Sequence, residues 1–185
     1  MILIGAGGHA KSIVHSCPIG FTMYCDKTEQ SWLRPFRMIT EEESFSLAAL
    51  GDSMVVGFGA LTPAALEKRY SVMMSYIKCG AKFSVIRGIH AIVSCNTTIG
   101  DGTQILGNSY VNHSAVIGSG CIINTGAIIE HDVVIGDGCH IAPGAIVLGG
   151  VDIGDFSFVG AGAVVIQGTK IPPRTFVKAR GIWKN

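Results

Sequence analysis

From residue 93 onward, aliphatic positions recur every six residues. Val93, Ile99, Ile105, Val111, Ile117, Ile123, Ile129, Ile135, Ile141, Val147, Ile153, Val159, Val165, Ile171 and Val177 are all Ile or Val, and no insertion breaks the phase. Four residues after each stands a residue that is nearly always small, from Thr97 and Thr103 through Ala115, Cys121, Ala127, Cys139 and Ala145 to Gly181. Gly follows the aliphatic directly at Gly100, Gly118, Gly136, Gly154 and Gly160. A hexapeptide period predicts a parallel β-helix. Each unit of six holds one short strand and one corner. β-Branched residues suit the pleated, half-buried strand. The small residue leaves room in a narrow interior, and Gly, Asp or Asn relaxes the corner. Three units make one triangular coil, so residues eighteen apart stack, with successive strands about 4.8 Å apart. Burying each Ile or Val is worth roughly 1.5–3 kcal/mol before conformational entropy is subtracted. A loop reading would leave that ladder in water.

The first 86 residues have another pattern. An apolar run, MILIG, leads into Gly5, Gly7 and Gly8 and then a helical stretch. Gly5-x-Gly7-x-x-Ala10 fits a G-x-G-x-x-G/A fingerprint, in which glycines permit a tight turn and let a phosphate approach the backbone at a helix N-terminus. Asp26 follows about twenty residues on, after a second apolar run from Phe21 to Cys25, where the fingerprint places its acidic residue. Thr40 and Glu43 have capping-box spacing ahead of a short helix. Met54–Gly59 reads as a buried strand ending in a turn, and Pro63 opens a further helix. Residues 82–86 read as a last strand of a βαβαβαβ block, with 87–92 bridging to the solenoid. The expected organisation is a Rossmann-like unit at 1–86 and a β-helix at 87–185. The first is about half a dinucleotide fold, enough for a mononucleotide but short of NAD with a substrate domain.

Composition narrows the classes further. Net charge is +1 over 185 residues, so no general affinity for nucleic acid is expected. The chain opens without a basic n-region or long apolar stretch, which predicts a soluble, cytoplasmic protein with no membrane partner. None of the six cysteines forms a C-x-x-C pair. Cys121 and Cys139, eighteen apart, should stack as small apolar residues in a reduced interior.

Chemistry concentrates at Glu130-His131-Asp132. His131 stands two after the inward Ile129, where a side chain should face outward near a corner. Its slot is His113 one coil earlier and Gly149 one coil later, so the two histidines should stack above open backbone at Gly149-Gly150. An imidazole suits taking a proton from an amine that attacks a thioester. Asp132 could hold the other ring nitrogen and stabilise the imidazolium, provided a corner brings the side chains together. His113 reads as a surface or packing residue, His15 as helix surface, and His90 as part of the bridge. Cys95, Cys121 and Cys139 occupy scaffold positions, which disfavours a cysteine nucleophile.

With the Gly-rich turn and the coils in view, the whole chain resembles bacterial nucleotide-sugar acetyltransferases of the hexapeptide-repeat family. These place a small nucleotide-binding unit ahead of a left-handed β-helix. The most specific segment is Asn124–Asp132, followed by Ile135-Gly136 and His140. The resemblance implies left-handed coils, although general crossover rules favour right-handed ones. It implies His131 as catalytic base, Asp132 as its acidic partner, His140 near the acetyl thioester and Asn124 near the sugar. Gly7, Gly8, His9, Asp26 and the Gly57 turn would surround the nucleotide. Acetyl-CoA, as co-substrate and without a metal, would contact His140, Gly149, Ala161, Lys178 and Arg180. The chain departs from the family at Val177–Gly181, where a Gly-x-Pro-Ala-Lys-like segment is usual, and at Gly57-Phe58-Gly59, where polar residues are more common.

Four readings follow. The first is N-acetylation of a nucleotide-linked 4-amino-6-deoxysugar, in a homotrimer with active sites between subunits. The second is O-acetylation of a sialic acid or related sugar. A third, a non-catalytic scaffold subunit, is disfavoured by the Glu-His-Asp triplet. A fourth, a small NAD-binding module, is disfavoured by the half-size first unit.

Overall fold

The computed structural model describes residues 1–17 and 20–184; Pro18, Ile19 and Asn185, the end of the expected second unit, lie outside the described residues. The chain begins with a four-stranded parallel sheet. Its centre is β1 (Ile2–Ile4), which pairs with β2 (Met23–Cys25) on one side, and β3 (Arg37–Ile39) lies beyond β2. On the other side β1 pairs with β4 (Met54–Val56), giving the order β3-β2-β1-β4. β1 and β4 are buried throughout, as continuous apolar runs in a parallel sheet should be. Edge strand β3 buries only Ile39, and its weak pattern is why it escapes a reading by periodicity.

Three helices complete this part: α1 (Gly8–Ser16), α2 (Glu41–Ala49) and α3 (Pro63–Lys78). The Thr40 hydroxyl accepts from the Glu43 N–H at 3.1 Å, and three glutamates in the first turn favour the helix dipole. The Glu43 carboxylate engages Arg37 instead of closing a capping box. Thr62 caps α3 in the same way, with Pro63 beginning the helix.

The expected last strand at 82–86 is not part of this sheet. Lys82 makes one bridge to Ser53, and the chain then leaves. Phe83 packs with the α3 cluster and Ile86 with Leu3 and Leu106, so their apolar character serves packing between layers. Ile86–Arg87 already pairs with Gln104–Ile105, and Ile92–Val93 with Tyr110–Val111. The supposed bridge at 87–92 is therefore coil.

The solenoid has three parallel faces. Face I stacks Thr98–Ile99, Val116–Ile117, Val134–Ile135, Asp152–Ile153 and Lys170–Ile171. Face II runs from Ile86–Arg87 through Gln104–Ile105, Ile122–Ile123, His140–Ile141 and Phe158–Val159 to Phe176–Val177. Face III runs from Ile92–Val93 through Tyr110–Val111, Ile128–Ile129, Ile146–Val147 and Val164–Val165 to Ile182–Trp183. The register is eighteen residues, as in Ile117↔Ile135 and Ile129↔Val147. The inward aliphatics from Ile105 to Val177 and the small residues beside them, Cys121 and Cys139 included, form one continuous core. The phase outlasts Val177, because Trp183 takes the next inward position.

Each corner turns on a left-handed residue three places after the aliphatic, at every sixth position from His90 and Asn96 to Arg174 and Arg180. Only half of these are Gly, so the turn does not demand it. The glycine directly after an aliphatic has a different cause. A Cβ at Gly136 would lie 2.8 Å from the Asp155 nitrogen in the next coil. Coils approach there more closely than a side chain permits.

Face II packs on the first sheet and its helices. The outward side chains of Gln104, Ile122, His140 and Phe158 are buried there. Face III presents an outward stripe of Ile92, Tyr110, Ile128, Ile146, Val164 and Ile182, and its ends, Ile92 and Ile182, are 57% and 69% exposed.

Candidate functional site

The sequence-predicted residues fall into three places. The first is a cavity of about 750 Å³ beyond the C-terminal ends of β1 and β2, walled by α2 and α3. Gly5, Gly7, Asp26, Lys27, Phe58 and Lys68 are among its lining. Parallel α/β sheets bind ligands at this end. Gly5 has φ +85°, and a Cβ there would strike the Phe58 ring at 2.8 Å. At Gly7 and Gly8 a Cβ would meet nothing within 4 Å. The N-terminus of α1 has no side-chain cap, so its N–H groups are available to an anion. Asp26 Oδ2 accepts from the Ala6 N–H at 2.6 Å, which ties the turn to β2.

Two residues expected beside the nucleotide, Gly57 and His9, are not part of this cavity's lining. Gly57 sits behind the turn, where a Cβ would run into the Gly5 carbonyl and the Leu3 side chain. The His9 ring turns to the solenoid, where its Nε2–H donates to Gln104 Oε1 at 2.7 Å. Gln104 Nε2 donates in turn to the Val56 carbonyl at 2.8 Å. Burial drives the His9 imidazole down to about 4.

The second place is the corner between faces III and I, which carries His131 and Asp132. Asp132 has φ +59°, and this turn swings its carboxylate back to His131, with Oδ2 2.8 Å from Nδ1. A carboxylate only accepts here, so Nδ1 carries the proton and Nε2 the lone pair. Both side chains are more than half exposed. The ring lies over Gly149, where a Cβ would be 2.7 Å from Nε2 and Cε1. The coils at this corner are tied by Asp132 N–H to the His113 carbonyl and Gly150 N–H to the His131 carbonyl. Asn112 joins above by donating from Nδ2 to Glu130 Oε2 at 2.7 Å.

The third place lies on face II and the corner after it. His140 is buried. Its Nδ1–H donates to the Ala60 carbonyl at 2.7 Å, and Nε2 accepts from Asn124 Nδ2 at 3.0 Å. Asn124 Oδ1 accepts from the Thr125 N–H, which sets the amide's orientation. Burial first, then the Arg69 charge, hold His140 down at about 4, so it is neutral near pH 7. Ala161, Lys178 and Arg180 are exposed at the corner between faces II and III, and Arg180 N–H bonds the Ala161 carbonyl. The structure thus pairs His140 with Asn124 and His131 with Gly149, and sets the two pairs on different edges of face III.

Sequence reading missed Arg69 and Ala60 at the junction. The signal for Arg69 was its position: α3 buries Leu66, Arg69, Met73 and Tyr76, a helical stripe in which a guanidinium is out of character. Among the described residues no group of three or more His, Cys, Asp or Glu could hold a metal ion, and no helix is long and apolar enough to cross a membrane.

At the level of sequence, no curated protein matches the chain. The family model for the bacterial transferase hexapeptide (six repeats) matches residues 96–131 and 132–167. Among solved structures, a histidine-to-asparagine mutant of perosamine N-acetyltransferase from Caulobacter crescentus, determined with CoA and GDP-perosamine, superposes with a TM-score of 0.90 at 27% identity, over 100% of this chain and 88% of that one. The acetyltransferase domain of PglB from Neisseria gonorrhoeae gives 0.89 at 26% identity, over 99% and 90%. WeeI from Acinetobacter baumannii, at 19% identity and a TM-score of 0.73 over 98% and 94%, shares the fold. Residues 96–167 of the solenoid thus match the bacterial transferase hexapeptide model, and the whole chain is similar in fold to perosamine N-acetyltransferase and to the acetyltransferase domain of PglB.

Proposed function

We propose that this protein is an acetyl-CoA-dependent N-acetyltransferase that acts on the amine of a nucleotide-linked 4-amino-6-deoxysugar. The observation that carries the reading is the His131–Asp132 pair, open to solvent, with its lone-pair nitrogen over Gly149. In the proposed reaction the sugar amine attacks the thioester carbonyl while His131 Nε2 takes its proton. The Asp132 carboxylate stabilises the imidazolium. The tetrahedral adduct then collapses, the C–S bond breaks, and the departing CoA thiolate recovers the proton from His131. The products are the N-acetylated sugar and free CoA. No cofactor beyond acetyl-CoA takes part.

In this reading the residues before Ile86 form a Rossmann-like nucleotide-sugar unit, and the chain from Ile86 onward, one residue ahead of the expected boundary, forms a left-handed β-helix. Gly7, Gly8 and Asp26 are assigned to the nucleotide; Gly7 and Asp26 line the cavity together with Lys27 and Lys68, whose charges suit its phosphates. Ala161, Lys178 and Arg180 take the coenzyme, whose phosphates suit the two cations. All six cysteines are free thiols, as suits a reducing cytoplasm.

The protein acts as a homotrimer around face III. The apolar stripe on that face supports this, since few monomers leave such a surface in water. Face III is bounded by the His131 corner on one edge and the Asn124 and Ala161 corner on the other. A threefold interface is heterologous, so each His131 would meet a neighbour's opposite edge. That arrangement would join the halves of the site that one chain keeps apart.

A thermal-shift panel of UDP, dTDP, GDP and CMP, each with and without CoA, tests the ligand classes, because ligands of the folded state raise its stability with concentration. The His131→Ala protein should keep nucleotide binding and lose acetyl transfer. Transfer within a few-fold of wild type would reject the mechanism, and CMP alone stabilising the protein would favour the sialic acid reading.

A further inference from the structure

Between the cavity and His140 runs a segment of four residues, 57–60, held at every step. Gly57 lies against the Gly5 carbonyl, and the Phe58 ring lies over Gly5 and lines the cavity. Arg69 Nε donates to the Phe58 carbonyl at 3.0 Å, while its Nη1 reaches the Gly120 carbonyl in the solenoid at 2.6 Å. Gly59 packs on His9, where a Cβ would be 3.4 Å from the His9 Cβ. The Ala60 carbonyl receives the His140 Nδ1–H at 2.7 Å.

Arg69 is 1% exposed, and its Nη2 has no hydrogen-bond partner among the described residues. A buried cation without a carboxylate is a net cost, and an apolar side chain of similar size would often be as stable or more so. Stability alone therefore does not account for it. The guanidinium does provide a rigid two-armed bridge between the 57–60 segment and the solenoid, which an apolar side chain could not.

We infer that Arg69 is a positioning residue. It clamps the 57–60 segment so that the Ala60 carbonyl holds His140 in its Nδ1–H form, and this segment carries nucleotide occupancy of the cavity to His140. The second half rests on the nucleotide reading of that cavity. The ring is presented with Nε2 as an acceptor toward Asn124 Nδ2, so the segment sets which nitrogen faces the sugar residue of the site. The charged and titratable groups around His140 are Arg69 from α3, whose charge acts against its protonation, and His9 from α1, whose own protonation His140 disfavours.

Imidazole ¹⁵N spectra of the full-length protein test this. In wild type, His140 should show protonated Nδ1 and unprotonated Nε2 at pH 7. In Arg69→Met the single-tautomer signature should weaken and the His140 titration midpoint should rise. Arg69→Lys keeps the charge without the two-armed reach, so its midpoint should stay low while the tautomer signature weakens. A folded Arg69→Met protein with wild-type signature and midpoint overturns the clamp. In unmodified protein, saturation with GDP, UDP or dTDP, whichever binds by calorimetry, should shift the His140 nitrogens although the ring is outside the cavity. Binding without such a shift overturns the link, even if neither variant folds. Absence of any nucleotide binding overturns the nucleotide reading and the link with it, and leaves the clamp to be decided by the Arg69 variants.

Discussion

His131 Nδ1 and Asp132 Oδ2 are 2.8 Å apart although they are neighbours in sequence, whose side chains alternate sides along a strand. The left-handed turn at Asp132, φ +59°, reverses that alternation. Asn tolerates this conformation well, so Asp132→Asn separates charge from geometry. Its melting temperature should match wild type. Its kcat should fall, but by less than the roughly 100- to 10,000-fold expected from removing the base itself. Unchanged kcat would make Asp132 a corner residue and nothing more.

Gly149 supports the His131 ring from the coil below. Its φ lies outside the left-handed region, so alanine is allowed by the backbone. The new Cβ would lie 2.7 Å from His131 Nε2. Gly149→Ala should therefore turn the ring and lower kcat by as much as about 100-fold, the scale of a 1 Å misplacement. Denaturant melts should show stability within about 0.5 kcal/mol of wild type, as for a substitution outside the core. Wild-type kcat would place the reacting nitrogen elsewhere.

Gly8 opens α1 with open space where a Cβ would stand. Gly8→Ala should stabilise the protein by about 0.4–1 kcal/mol through the unfolded chain. It should also weaken nucleotide binding in calorimetry, because the methyl group stands where a phosphate would approach. Stabilisation with undiminished affinity would move the phosphate away from this helix.

His9 and His140 are held neutral, each down to about 4 in the folded protein. In the unfolded chain they titrate near 6.5. Between those values the unfolded state binds more protons, so their contribution is fully present above about pH 6.5 and is lost as pH falls toward 4. Each is worth about 3 kcal/mol at the low end. Guanidinium melts at pH 7 and pH 4.5 should show the loss, and His140→Gln should reduce it. An identical acid loss in that variant would remove His140 from the account.

The proposed division of the site between subunits has a direct consequence. His131→Ala protein and Lys178→Glu/Arg180→Glu protein should each be inactive. Unfolded together and refolded, they should regain activity, since some mixed trimers contain grooves with both walls intact. Mixed trimers without activity would show that the division is wrong, and a monomer in light scattering would reject the shared site altogether.

The amino-acid sequence by itself determined the solenoid. Its register is a local property: an Ile or Val every sixth residue, a small residue beside it and a tolerant corner suffice, and Ile117 stacks on Ile135 as the period requires. The corner that joins His131 to Asp132, and the bare backbone at Gly149 beneath them, were legible for the same reason. The start of the β-helix was not. Ile86 is as apolar as any sheet residue, and only its partners decide that it pairs with Gln104 and does not extend the first sheet, which this stretch joins through the Lys82–Ser53 bridge. The tertiary structure alone also decided where His9, Arg69 and His140 go. Gln104 and His140 stand at the outward position of their hexapeptides, as Val116 and Val134 do. Face II is covered by the first sheet and its helices, whereas outward Val116 and Val134 remain exposed. Burial under that layer makes the two imidazoles neutral and leaves Arg69 a buried bridge. A six-residue period specifies what points inward, while the identity of the layer lying on each outer face depends on contacts across the whole chain.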